Sequence, residues 1–79
     1  MVYCDFVSQN DNKVRYRYGG YTDDVTGVVD FDIDGGGFSI EKEPERNLPY
    51  LPVYLMKLYC NKASLFKKAE FPQKLSYEI

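Results

Sequence analysis

Hydrophobic and polar residues alternate through most of the first half of the chain, a pattern typical of half-buried β-strands. Residues 2–8 and 13–18 both alternate, and Asn10-Asp11-Asn12 between them favours a turn. A three-residue loop makes apolar residues face apolar ones and a charge face its opposite, with Phe6 beside Tyr16, Cys4 beside Tyr18 and Asp5 beside Arg17. The sequence therefore predicts a first β-hairpin.

A second hairpin is predicted around the three glycines at positions 35–37, with strands at 25–33 and 38–42. A two-residue or four-residue loop pairs Ile33 with Phe38 and Phe31 with Ile40 on one face. The other face then sets Asp32 across from Ser39 and Asp30 across from Glu41, and it also carries Arg15 and Arg17. Two carboxylates directly opposite each other repel, so we expect this face to meet solvent, a cation or a basic partner.

The period becomes helical from Leu51, with Pro52 in the first turn, where its missing N–H costs nothing. The predicted buried arc holds Leu55, Met56, Leu58, Tyr59, Ala63, Phe66 and Ala69. Phe71-Pro72 is predicted to end the helix, and the alternation of Leu75, Tyr77 and Ile79 predicts a last strand docked on the sheet. The expected fold is a single α+β domain over residues 1–79, in the order β-β-β-β-α-β. Two hairpins and a C-terminal strand form an antiparallel sheet, with one amphipathic helix on one face.

Composition removes most catalytic and metal chemistry from consideration. The chain has no histidine and no tryptophan, so it has no imidazole base and no histidine metal ligand. We expect no enzyme activity and no cofactor. The two cysteines suit buried, reduced thiols in a cytoplasmic protein, although a Cys4–Cys60 bridge stays open. No apolar run approaches 18 residues and no leader pattern opens the chain, so no membrane span or signal peptide is expected.

The net charge of −2 hides a strong separation of charges. Residues 23–45 hold eight acidic residues and one lysine, whereas residues 46–79 are mostly basic. A segment with this much charge of one sign indicates what kind of partner the protein binds rather than which fold it adopts. We therefore expect a small acidic interaction module that binds a basic protein surface, as an inhibitor or decoy. By size and charge alone it is comparable to phage-type inhibitors of host defence. The candidate contact residues are Tyr21, Asp23, Asp24, Asp30, Asp32, Asp34 and Glu41.

Two alternative functions use the same region or its neighbour. Residues 30–41 match the letters of an EF-hand calcium loop, with Asp30, Asp32, Asp34 and Glu41 as candidate ligands. Flanking strand patterns and Pro44 argue against its helices, which leaves a weak, non-EF cation site.

The stretch Arg15-Tyr16-Arg17-Tyr18 suggests nucleic-acid binding by phosphate clamping and base stacking. Strand alternation sends the arginines and tyrosines to opposite faces, so we do not expect it. An acidic face that only keeps the domain in solution is the remaining interpretation. The sequence predicts no oligomeric state.

Overall fold

The fold is α+β, with the element order that the sequence predicts. A computed structural model describes residues 1–78, so the predicted place of Ile79 in the last strand lies outside the described residues. The elements are β1 (Val2–Gln9), β2 (Lys13–Gly19), β3 (Gly27–Asp32), β4 (Phe38–Lys42), α1 (Leu51–Lys67) and β5 (Lys74–Tyr77). The strands form one antiparallel sheet in the order β4-β3-β2-β1-β5. The last strand therefore docks beside the first.

Helix α1 packs on one face of this sheet and closes the core. Its buried residues are Leu51, Leu55, Leu58, Tyr59 and Phe66. They meet every second residue of the strands, including Val2, Cys4, Val14, Tyr16, Tyr18, Val29, Phe31 and Leu75. The predicted buried arc also included Met56, but this side chain is 49% exposed, so its predicted burial is wrong. Met56 lies about 100° around the helix from Leu55, at the edge of the buried stripe.

The helix ends at Lys67, four residues before the predicted Phe71-Pro72 stop. The N–H of Ala69 donates to the carbonyl of Phe66, and the N–H of Glu70 to that of Leu65, each at 3.0 Å. These two bonds form a Schellman cap, with Ala69 in the left-handed region at φ 59°. Ala69 is exposed beyond the helix, which corrects its predicted burial.

The first hairpin has the predicted register. Phe6 pairs with Tyr16, Cys4 with Tyr18 and Asp5 with Arg17, and a bulge follows Phe6. Cys4 is buried in the sheet and Cys60 is exposed on the helix, and both are free thiols. The alternative Cys4–Cys60 bridge is therefore not formed.

The second hairpin is shifted by two residues from the predicted register. Phe31 pairs with Phe38 and Val29 with Ile40, and β3 begins at Gly27 and ends at Asp32. Pairing with β4 ends at Asp32, whose N–H donates to the carbonyl of Gly37 at 2.8 Å, while the N–H of Ile33 continues the pairing with β2 by donating to the carbonyl of Asn12 at 2.8 Å. A shift of two residues keeps every side chain on its predicted face.

Candidate interaction surface

The open face of the sheet, opposite α1, is mixed in charge rather than acidic. Lys13, Arg15 and Arg17 project from β2, in the middle of this face, and all three are exposed. Their cross-strand neighbours on β1 and β3 include Asp5, Asp30 and Asp32. Each base of β2 therefore has an acid beside it on one neighbouring strand, and the strand order brings together opposite charges that are far apart in the sequence.

Asp30 is neutralised by Arg15. The guanidinium donates from Nε to Oδ1 at 2.7 Å and from Nη2 to Oδ2 at 3.0 Å, which is a bidentate pair. The side chain of Asp30 is only 13% exposed. The hydrogen bonds from Arg15 hold the pKa of the Asp30 carboxyl below its ordinary value. Across β4, Asp30 faces Ser39 rather than Glu41, so the predicted carboxylate repulsion does not occur.

Tyr21, Asp23 and Asp24 belong to a structural clasp around Arg46. The carboxylate of Asp24 accepts hydrogen bonds from Thr26 Oγ1 at 2.7 Å and from the backbone N–H of Arg46 at 2.8 Å. The Arg46 side chain also pairs with Asp23 and lies 4.1 Å from the centre of the Tyr21 ring. The hydrogen bond from Thr26 is the largest of the effects that lower the pKa of Asp24.

Asp24 is 4% exposed, which corrects the expectation that its carboxylate faces a partner. The clasp joins the loop before β3 to the segment after β4. Asp24 therefore holds the chain together, whereas Tyr21 and Asp23 contact Arg46 and are still exposed.

The remaining acids of residues 23–45 form a group that we call the acidic margin: Asp32, Asp34, Glu41, Glu43 and Glu45. Asp32, Asp34 and Glu41 lie within the β3–β4 hairpin, and Glu43 and Glu45 lie just after it. Within residues 1–78, none of these carboxylates has a lysine or arginine nitrogen within 4.0 Å. Glu43 and Glu45 were not among the predicted contact residues, although both lie in the acidic stretch at 23–45.

Local hydrogen bonds and the helix fix the shape of this margin. Asp32 Oδ1 accepts the backbone N–H of Asp34 at 2.8 Å, and Glu41 accepts the hydroxyl of Ser39 at 2.8 Å. The Tyr59 hydroxyl on α1 donates to the carbonyl of Asp32 at 2.6 Å and accepts the N–H of Gly37 at 3.3 Å. Helix α1 therefore determines where the hairpin loop lies.

The alternative cation site is not assembled. Asp30 is bound to Arg15, while Asp34 lies in the loop and Glu41 on β4. Across the described chain, no group of three or more aspartate, glutamate or cysteine residues could hold a metal ion. The 30–41 stretch joins two strands, so the EF-hand interpretation is wrong.

The separation of arginines from tyrosines on β2 is confirmed. Tyr16 and Tyr18 are 0% and 1% exposed, on the side that α1 covers, and Arg15 and Arg17 are on the open face. Neither tyrosine can stack on a base while the arginines hold phosphate.

The outer side of α1 is the other exposed feature. Tyr50, Val53 and Met56 are 39%, 56% and 49% exposed, and Lys57 lies beside them. No helix in residues 1–78 is long and apolar enough to cross a membrane. This stripe is short, and its apolar side chains carry no charge that would select a partner.

Comparison with known proteins gives no relative from which a function could be carried over. No protein-family model, no curated protein and no solved structure matches the chain.

Proposed function

We propose that this chain is a small non-catalytic module that binds a basic surface of a protein partner through its acidic margin, as an inhibitor or decoy of that surface. One observation carries the proposal: within residues 1–78 no acid of the margin forms a salt bridge, whereas Asp5, Asp23, Asp24 and Asp30 each form one. A paired carboxylate has little left to offer a second cation, because its charge is already compensated. A carboxylate without a salt bridge keeps more of its charge uncompensated and so contributes more strongly to the field that attracts a basic surface.

We therefore place the proposed contact at the edge of the sheet rather than at its centre. Asp30 and Asp24 were predicted contacts, but both are engaged inside the protein. Within residues 1–78, Asp32, Asp34 and Glu41 form no salt bridge, and Glu43 and Glu45 add two exposed acids beyond the end of β4. The carboxylates of β3 and β4 are held on a backbone ladder, so less side-chain entropy is lost on docking than with long lysine chains.

The test compares two triple variants that lose the same charge. The margin variant carries Glu41→Gln, Glu43→Gln and Glu45→Gln, and the control carries Asp11→Asn, Glu70→Gln and Glu78→Gln at exposed positions elsewhere. A partner is captured from the native host, identified, purified and mixed with each variant in a stopped-flow instrument at several salt concentrations.

We expect the margin variant to slow association by about tenfold at low salt and the control by less than about twofold. The association rate should fall steeply with salt for the unmodified protein. The proposal fails if both variants behave like the unmodified protein while reversing the charges of Lys57 on α1 and Lys68 at its C-terminal cap abolishes binding. That result would make the helix the functional surface.

A further inference from the structure

Strand β4 is an edge of the sheet, and in the part of the chain that the structure describes its outer backbone groups have no partner. The N–H of Asp32 donates to the carbonyl of Gly37 at 2.8 Å, which fixes the phase of the ladder. In an antiparallel ladder, hydrogen-bonded and non-hydrogen-bonded pairs alternate. Ser39 therefore points its N–H and C=O toward β3, whereas Phe38 and Ile40 point theirs outward.

These outward groups make no other hydrogen bond within residues 1–78. The segment after β4 turns away, because the N–H of Glu45 donates to Thr26 Oγ1 at 2.9 Å and Arg46 joins the clasp. An open row of donors and acceptors is a template for one more strand. The edge of β4 can therefore accept an extended segment of a partner.

The side chains of β4 define the segment that would fit. Phe38 and Ile40 are half-buried on the side of α1, while Ser39 and Glu41 are exposed on the open face. An added antiparallel strand places its side chains on the same two faces, in alternation. An apolar residue would extend the core beside Phe38 and Ile40, and a basic residue would meet Glu41 and the acidic margin.

Charge selects between the possible occupants of this edge. A second copy paired antiparallel about Ile40 would set Glu41 opposite Ser39 and Lys42 opposite Phe38, so it would bring no opposite charges together, whereas a basic segment can place a cation opposite Glu41. The opposite edge, β5, is only four residues long and begins at Lys74, whose amine pairs with Asp5. The favoured arrangement is therefore a basic strand added at β4. Addition at β5 and pairing with a second copy are both less favourable.

We propose that the partner contributes an extended segment of alternating basic and apolar residues, which pairs antiparallel with β4 as a sixth strand. This inference rests on the proposed function, because it assumes that the acidic margin faces the partner. It adds that backbone hydrogen bonds at Phe38 and Ile40 share in recognition, beyond the attraction of opposite charges.

The probe is a capped seven-residue peptide of alternating lysine and valine, with lysine at both ends. In the proposed register its valines lie on the side of Phe38 and Ile40, so their N–H groups point at β4 and the lysine N–H groups point away. Two matched peptides each carry one N-methyl group, one on the central valine and the other on the lysine that follows it. All three have the same charge and differ only in which backbone donor is lost.

Binding is followed by nuclear magnetic resonance titration and amide exchange. We expect the parent peptide to slow exchange at Phe38 and Ile40 by about tenfold or more. N-methylation of valine should weaken binding by about tenfold, and N-methylation of lysine by less than about twofold. Glu41→Lys should weaken binding by about tenfold, whereas Glu78→Lys, which changes net charge equally beyond β5, should have little effect.

Each contrary result has a distinct meaning. Equal, salt-dependent binding of all three peptides without protection of Phe38 and Ile40 would overturn strand addition and leave the proposed function standing. Stronger loss on methylating lysine would overturn the antiparallel register. If no peptide binds at low salt, the inference is wrong, and the proposed function is decided separately by the captured partner and the margin variant.

Discussion

Replacing Tyr59 with phenylalanine should loosen the hairpin that carries the acidic margin. The hydroxyl of Tyr59 joins the carbonyl of Asp32 at 2.6 Å and the N–H of Gly37 at 3.3 Å. Its ring stacks on Phe31, with centroids 5.6 Å apart, and phenylalanine keeps that contact. The substitution therefore removes one short hydrogen bond and one long one without opening a large cavity.

The expected loss of stability follows from those two bonds. A neutral hydrogen bond contributes about 0.5–1.5 kcal/mol net, and the long bond to Gly37 lies at the weak end. The sum is about 1–2 kcal/mol, because Tyr59 is only 6% exposed and water does not easily replace its hydroxyl. In a domain of this size each kcal/mol lowers the melting temperature by roughly 4–8 °C.

Urea unfolding gives the stability change of Tyr59→Phe, and amide exchange at Gly37 locates it. The control is Tyr54→Phe on the same helix, since the Tyr54 hydroxyl makes no hydrogen bond within residues 1–78. We expect the control to stay within about 0.5 kcal/mol of the unmodified protein. If both variants give the same urea midpoint and the same Gly37 exchange rate, the hydroxyl does not hold the loop.

Three further results are expected. Ala69→Gly should stabilise the protein by about 0.5–1 kcal/mol, because glycine relieves the left-handed strain and only part of that gain is lost to unfolded-chain entropy. The same change at Ala63, inside α1, should cost about 1 kcal/mol, and equal urea midpoints for the two variants would contradict the cap. Millimolar calcium at near-physiological salt should leave the melting temperature nearly unchanged, whereas a rise of many degrees at micromolar calcium would mean that the carboxylates converge after all. Folding lowers the pKa of Asp30, so its ionised carboxylate adds to the free energy of unfolding at pH values above the unfolded-chain pKa near 4. This stabilisation is lost as the pH falls through the folded-state pKa. In the Asp30→Asn variant, the free energy of unfolding should therefore fall less steeply as the pH drops below about 4. A plot against pH that runs parallel to that of the unmodified protein would refute this.

The elements were predictable because each has a local cause. Alternation with charge pairing defines β1 and β2, and the helical period with Pro52 in the first turn defines the start of α1. The register of the second hairpin has no such local cause. Three consecutive glycines permit several turns, and a shift by two residues leaves the alternation intact. In the observed register the N–H of Asp32 donates to the carbonyl of Gly37, and the Tyr59 hydroxyl on α1 bonds both of these residues, so a contact with the distant helix stabilises this register.

The sequence predicts the negative charge of the candidate site, but it does not predict which of its acids form salt bridges. The sequence shows the acids at 23–45, yet their availability depends on cations far along the chain. Asp30 meets Arg15 because β2 lies beside β3, and Asp24 meets Arg46 because the segment after β4 folds back. Only tertiary contacts separate the engaged acids from the free acids of the margin.

The burial of Cys4 makes the β1–β5 seam measurable by thiol chemistry. Cys4 is 1% exposed and pairs with Leu75 of β5, and burial raises its pKa to about 12. The thiolate is the reactive form, so Cys4 is inert in the folded protein, while the exposed Cys60 reacts freely and serves as an internal reference. Because β1 and β5 come from distant parts of the sequence, closing this seam carries a large loop-closure entropy. The rate of Cys4 modification, followed as urea is added, therefore reports how often the seam opens and whether it opens before the rest of the sheet.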